Sequence, residues 1–250
     1  MELFDVNCFV GRWPTARYAC PDLPGLQAEM ARLGIARALV RHTWSWWHDP
    51  QAGNEALLRE IAAAPNLRPC LAATSLLSEE LHGLDSFLSL VEEANAGAVC
   101  LFPRSHSYTL APWAIGGLLD ALQRINMPLM LEMEETSWPE VQAILRDWPR
   151  LPIIVTRTGY RILRNLLPLL RAYRNLYVDI AYLADNEALE CIAASVGVER
   201  LLFGTGTPRV DGGGAVARLT YSGLSDAQKE MVAFRNLDRL LAGISFFQRV

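Results

Sequence analysis

The chain has 250 residues, is 51% hydrophobic and 20% charged, and carries a formal net charge of -4. That is enough sequence to bury a large core without disulfide or metal staples, while the mild acidity and the absence of any Lys/Arg-rich run exclude an electrostatic footprint for nucleic acid or a membrane surface. Cys8, Cys20, Cys70, Cys100 and Cys191 are odd in number and scattered, without a CxxC pair or zinc spacing, which predicts buried thiols in a reducing compartment. With no signal-peptide pattern at the N-terminus and no bilayer-length apolar run, the expected location is cytoplasmic.

Short runs rich in Val, Ile and Leu alternate with longer amphipathic segments along the chain, the pattern of βα units around a parallel sheet. The predicted strands are Leu3 to Cys8, Ala36 to Arg41, Pro69 to Thr74, Ala98 to Phe102, Pro128 to Glu132, Ile153 to Arg157, Leu176 to Ile180 and Leu201 to Thr205. Helical patterns fall at Leu23 to Leu33, Asn54 to Ala64, Ala114 to Ile125, Trp138 to Asp147, Ile162 to Tyr173 and Asn186 to Val196. A last helix runs from Asp226 to Ala242, opened by a capping box in which Gln228 follows Ser225 by three residues. Eight such strands in a chain of this length predict an α/β fold, a single (β/α)8 TIM barrel, with residues 1–250 as one domain. Gly212-Gly213-Gly214 reads as a flexible loop after the eighth strand.

Several segments, in order, carry a family resemblance. Asp5-Val6-Asn7-Cys8-Phe9-Val10-Gly11 keeps the frame of an Asp-x-His-x-His-x-Gly strand, with Asn7 and Phe9 at the histidine positions. Gly97 to Phe102 looks like a fourth strand, Met127 to Glu132 like a fifth of the form Pro-hydrophobic-His, Pro152 to Gly159 like a sixth and Asn175 to Asp179 like a seventh. Arg200-Leu201-Leu202-Phe203-Gly204-Thr205-Gly206-Thr207-Pro208 is similar to Arg-apolar-apolar-Phe-Gly-Ser-Asp-x-Pro, and Asn236-Leu237-Asp238-Arg239-Leu240 to a closing Asn-x-x-Arg-Leu. Together they resemble the amidohydrolase-related family of metal-dependent hydrolases and decarboxylases. The resemblance implies metal ligands at the positions of Asn7, Phe9, Glu132, Arg157 and Gly206, and only Asn7 and Glu132 of these offer oxygen donors. No metal and no other cofactor is therefore expected. A metal that lowers the pKa of water from roughly 15.7 to about 7 supplies on the order of 12 kcal/mol of nucleophile activation, against roughly 3–5 kcal/mol for a lone general base. The expected chemistry is thus an activated ester or lactone, a proton transfer or an elimination, and not an unactivated amide.

Residues at the C-terminal strand ends of a barrel converge on one face. They predict a substrate-binding set of Asn7, Arg12, Trp13, Arg41, His42, Trp44, Arg104, Thr205, Thr207 and Arg209, with Thr74 and Glu134 nearby. Arginine forks suit carboxylates, so the expected ligand is a small-molecule anion. The catalytic candidates are Glu132, Arg157, Asp179 and His106. Glu132 and Arg157 read either as an ion pair filling the metal position or as a general base tuned by its neighbour. Asp179 is read as orienting a neighbour or transferring a proton, and His106 and His42 as acid/base groups or members of polar turns. His48 and His82 read as surface residues. The tryptophans of Trp44-Ser45-Trp46-Trp47 form a lid, a subunit seal or simple loop packing, and Phe9, Trp13 and Trp44 are the residues that would close the pocket. The leading expectation is a metal-independent hydrolase or lyase-type relative, assembled as a homo-oligomer. The other reading is a catalytically inactive barrel with a ligand-binding or scaffolding role.

Overall fold

The computed structural model describes residues 1–15, 17–18, 22–75 and 80–246. Eight parallel strands follow one another around the sheet in sequence order. They are β1 (Leu3–Val10), β2 (Ile35–His42), β3 (Leu67–Ala73), β4 (Ala98–Leu101), β5 (Leu129–Glu132), β6 (Ile153–Thr156), β7 (Leu176–Asp179) and β8 (Leu201–Leu202). The ring closes where Val6 N donates to Phe203 O at 2.9 Å, Gly206 N to Asn7 O at 2.9 Å and Phe9 N to Thr207 O at 2.8 Å. The fold is a (β/α)8 TIM barrel, as the alternating pattern predicts.

The helices are α1 (Leu23–Leu33), α2 (Trp44–Trp47), α3 (Pro50–Ile61), α4 (Gly83–Glu93), α5 (Pro112–Arg124), α6 (Trp138–Asp147), α7 (Leu163–Ala172), α8 (Ala188–Val196), α9 (Gly212–Thr220), α10 (Asp226–Glu230) and α11 (Asn236–Ala242). Among the described residues, no helix is long and apolar enough to cross a membrane. The predicted capping box is present at Ser225 and Gln228. The helix it opens is interrupted by a π-helical turn, Met231–Arg235, before α11. Buried Asn236 fastens this segment to the barrel by donating from Nδ2 to Val198 O at 2.7 Å and Leu201 O at 2.9 Å.

Period-two alternation splits each strand between two cores. Leu71, Val99, Leu129, Leu131, Ile153 and Val155 face the helices, while Cys70, Ala72, Cys100, Met130 and Ile154 fill the barrel interior beside Phe4, Val6 and Leu39. Leu237, Leu240 and Leu241 of α11 join that inner cluster. One irregularity matters for the site. Between Asp5 and Cys8 the register of β1 against β2 slips, Asp5 facing Ala38 and Cys8 facing Val40. The extra residue is a β-bulge, a device that re-aims side chains at a barrel rim, and Asn7 sits within it.

Two expectations need correction. Gly212-Gly213-Gly214 is not a flexible loop but the first turn of α9, capped by Asp211, whose carboxylate accepts from Gly213 N at 3.0 Å. Glycine's poor helix propensity hides the helix in the sequence, yet a Cβ on Gly212 would stand 2.5 Å from Leu33 Cδ1. Of the four described cysteines, none of which is in a disulfide, Cys8, Cys70 and Cys100 are buried as expected, but Cys191 is exposed. Cys20 lies outside the described residues.

Candidate functional site

Arg41 is the centre of the barrel mouth. It is the penultimate residue of β2, on an inward position in register with Phe9 of β1, and its guanidinium lies over the Phe9 ring, 4.0 Å from the centroid. One nitrogen, Nη2, donates both to Asn7 Oδ1 and to Glu132 Oε1, the latter at 2.7 Å. The Arg41 and Glu132 side chains are 1% and 0% exposed. Burial disfavours the charged form of Arg41, but the charge of Glu132, its hydrogen bond and the neighbouring Cys100 and Cys70 together outweigh it and raise the guanidinium above its ordinary range. A fully buried guanidinium is tolerable only with such a partner.

Asn7 also reaches the other way, donating from Nδ2 to Asp179 Oδ2 at 2.9 Å. Asp179, wholly buried at the end of β7, receives Arg157 N at 3.2 Å on its second oxygen. Burial pushes its carboxyl up to about 7. The Asn7 bond pulls the value down, and the charges of Glu132 and Asp5 push it further up. Behind it Asp5 accepts from Asn7 N at 2.8 Å, Thr205 N at 3.0 Å and Cys8 Sγ at 3.0 Å. Burial raises the Asp5 carboxyl as well, against those hydrogen bonds.

A second layer of charge lies above the first. Arg209 Nη1 stands 3.6 Å from Glu132 Oε2, and its Nη2 contacts Glu134 Oε2 at 2.8 Å. Arg157 Nη2 contacts Glu134 Oε1 at 2.8 Å. The predicted Glu132–Arg157 pair is therefore not formed. Glu132 is taken by Arg41 and approached by Arg209, while Arg157 turns outward to Glu134. Its backbone explains the turn, because Arg157 has φ 52 and leaves the strand in the left-handed region.

Aromatic rings fill the rest of the mouth. Trp46 stacks on Phe102 at 4.7 Å and on Trp47 at 5.5 Å, with Phe9 5.9 Å and Trp13 5.7 Å away. The Arg209 guanidinium covers both tryptophans, 4.7 Å from the Trp46 ring and 4.9 Å from that of Trp13. Trp46 Nε1 donates to Glu135 Oε1 and Ser105 Oγ, each at 2.9 Å. The ring that closes the mouth beside Phe9 and Trp13 is thus Trp46 and not Trp44, which is 46% exposed and packs on His42.

The remaining predicted residues lie around this centre. His42 points away from it, with Nε2 3.3 Å from Glu60 Oε1 and Nδ1 accepting from Trp44 N at 3.1 Å. Burial lowers its pKa, against the Glu60 charge. His106 Nε2 lies 3.0 Å from Trp46 O, and its ring packs on Phe102. Thr205 and Thr207 are buried and joined to each other at 2.8 Å, serving Asp5. Thr74 is buried, whereas Arg12, Arg104, His48 and His82 are exposed. Sequence reasoning missed Asp5 as a hub, although it heads the opening strand motif, and missed Glu135, whose link to Trp46 spans 89 residues and leaves no local signal. Among the described residues, no group of three or more His, Cys, Asp or Glu side chains is placed to hold a metal ion.

The fold has solved relatives of almost the same extent. An uncharacterized TIM-barrel protein from Bordetella bronchiseptica is 15% identical, with TM-score 0.78 over 97% of this chain and 99% of that one. A dihydroxybenzoic acid decarboxylase from Polaromonas, solved with bound manganese and 2-nitroresorcinol, is 14% identical, with TM-score 0.72 over 96% and 97%. The 5-carboxyvanillate decarboxylase of Sphingomonas paucimobilis is 12% identical, with TM-score 0.72 over 98% and 99%. At such identities the likeness is one of fold. No curated protein matches the sequence. The amidohydrolase family profile matches residues 5–241, nearly the whole chain, and the protein belongs to that amidohydrolase family.

Proposed function

We propose that this amidohydrolase-family barrel acts on a small carboxylate-bearing molecule by a hydrolase or lyase-type reaction that uses no divalent metal. The observation that carries the reading is the convergence of Arg157 and Arg209 on a single carboxylate, that of Glu134, each at 2.8 Å. Two guanidinium forks spaced to share one carboxylate make a receptor for that group. Asp179, with its carboxyl near 7, is the group that exchanges a proton at neutral pH. Its bond from Arg157 N ties it to the clamp. A positioned acid or base contributes ~10²–10⁴-fold, which suits an activated ester or lactone, a proton transfer or an elimination.

The donor set does not fit a divalent cation. The oxygens of Asn7 and Glu132 that face the centre are both spent on Arg41 Nη2, and a guanidinium does not give up its proton to make room. Phe9 offers a ring in place of a ligand. The decarboxylase relatives support the substrate class, since both are named for aromatic carboxylates. One observation favours the second reading, a barrel that binds without turnover: Phe9, Trp13, Trp46 and Phe102 fill the mouth with apolar bulk.

Metal analysis of the purified protein, combined with thermal denaturation in a panel of small carboxylates, tests the reading. Substoichiometric metal is expected, with a midpoint raised by carboxylates in the wild type and unmoved in Arg209→Ala. Stoichiometric zinc or manganese whose removal lowers the midpoint overturns it. Turnover of an activated ester or lactone that Asp179→Asn abolishes while binding persists supports the enzyme. Binding with no turnover supports the second reading.

A further inference from the structure

Glu132, Glu134 and Glu135 follow one another at the end of β5 but have different fates. Glu132 is locked to Arg41, and Glu135 to Trp46 and Ser105. Glu134 reaches outward, with 47% of its side chain exposed, yet both its oxygens are engaged by guanidiniums that are themselves only 16% and 12% exposed. Those guanidiniums are held from behind, Arg157 against the Tyr182 ring at 5.4 Å and Arg209 against Trp13 and Trp46. Arg157 Nε and Arg209 Nη1 are buried without a hydrogen-bond partner, so the pair has more donors than Glu134 satisfies.

The charges lead the same way. Arg41, Arg157 and Arg209 bring three guanidiniums to two carboxylates, Glu132 and Glu134, while Glu135 is turned to Trp46 and Ser105. Glu134 is the carboxylate that Arg157 and Arg209 share, so its withdrawal leaves the facing ends of both guanidiniums without that anion. Glu134 is the exposed member of the trio and can leave to solvent, and an incoming carboxylate restores a partner to the two mostly buried guanidiniums by taking the same donors.

We propose that Glu134 is an internal stand-in for the ligand's carboxylate, seated between Arg157 and Arg209 and displaced to solvent when a small carboxylate binds there. This rests on the reading of Arg157 and Arg209 as the carboxylate clamp. Glu134 then sets the affinity, because a ligand must compete with a group tethered in its own subsite.

The test is calorimetric titration of benzoate, and of benzamide as its uncharged counterpart, into wild type, Glu134→Gln, Glu134→Ala and Arg209→Ala. Both Glu134 variants are expected to bind benzoate about 3- to 10-fold more tightly than wild type, the upper value matching ~1.4 kcal/mol. Benzamide binding is expected to stay unchanged, and Arg209→Ala to lose benzoate. Benzoate binding by wild type that the Glu134 variants leave unchanged or weaken overturns the stand-in and leaves the clamp intact. An equal gain for benzamide shows mere steric opening and also overturns it. No benzoate binding by any of the proteins overturns both the stand-in and the clamp.

Discussion

Asn7 and Asp179, 172 residues apart, are joined by an Nδ2–Oδ2 hydrogen bond of 2.9 Å that closes the barrel mouth across its seam. Asn7 is amphoteric there: its oxygen receives Arg41 while its nitrogen serves Asp179. The short amide fixes the guanidinium and the carboxyl relative to one another.

Asp179 makes stability depend on pH. Its carboxyl titrates near 7 in the folded chain against an ordinary value of 3.8, so between those values the native state holds a proton that the unfolded chain has lost. The contribution is fully present below about pH 4 and is lost as pH rises to about 7, with an amplitude on the order of 4 kcal/mol at ~1.36 kcal/mol per pKa unit. Urea denaturation from pH 4 to 8 is expected to show this decline. Asp179→Asn should reduce the decline, and the slope that remains from Asp5 has the same sign. A wild-type profile that rises across this window contradicts the assignment.

Arg41 and Glu132 stabilise one another as a buried pair. Arg41→Met leaves the buried Glu132 carboxylate with only Arg209 at 3.6 Å, Glu132→Leu leaves the Arg41 guanidinium without its carboxylate, and each is expected to cost ~3–5 kcal/mol in chemical denaturation. The double variant Arg41→Met/Glu132→Leu should recover much of the loss, because it removes both desolvated charges. Losses that simply add in the double variant would show that the two side chains do not act as a pair.

The barrel was legible because short apolar runs spaced by amphipathic segments admit few other folds, and the resemblance of the Arg200 to Pro208 segment and its companions points to the same one. The site was legible as a membership and not as a wiring diagram. Asn7, Arg41, Glu132, Asp179, Arg157 and Arg209 do meet, but which arginine reaches which glutamate depends on the bulge in β1 and on the positive φ of Arg157. Neither leaves a mark in a strand pattern. Trp46 could not be told from its exposed neighbours Trp44 and Trp47, because a four-residue helix, α2, decides which ring turns inward.

That inward ring is expected to matter for stability. Trp46→Ala removes a fully buried side chain stacked on Phe102 and should cost ~3–5 kcal/mol. Trp46→Phe keeps much of the ring but loses the donor to Glu135, whose carboxylate still receives Ser105 N at 2.8 Å and Ser105 Oγ. The cost should therefore be nearer 1–3 kcal/mol. Guanidinium denaturation distinguishes the two, and equal losses would mean that the indole N–H, and not the ring, is what the mouth requires.

Gly212 and Gly214 separate close packing from helix propensity within a single turn of α9. A Cβ on Gly212 would meet Leu33 Cδ1 at 2.5 Å and Thr207 Oγ1 at 3.1 Å, whereas one on Gly214 meets nothing within 4 Å. Both positions are helical, so alanine at either gains up to ~1 kcal/mol of propensity and unfolded-state entropy. At Gly214 that gain stands alone, and Gly214→Ala is expected to raise the thermal midpoint. At Gly212 the Leu33 end can move, but the buried Thr207 hydroxyl, held by Thr205, cannot easily yield. Overpacking there costs ~1–3 kcal/mol and outweighs the gain, so Gly212→Ala should lower the midpoint. Opposite shifts in thermal denaturation are the expected result; two increases would mean that α1 and α9 pack loosely enough to admit a methyl group.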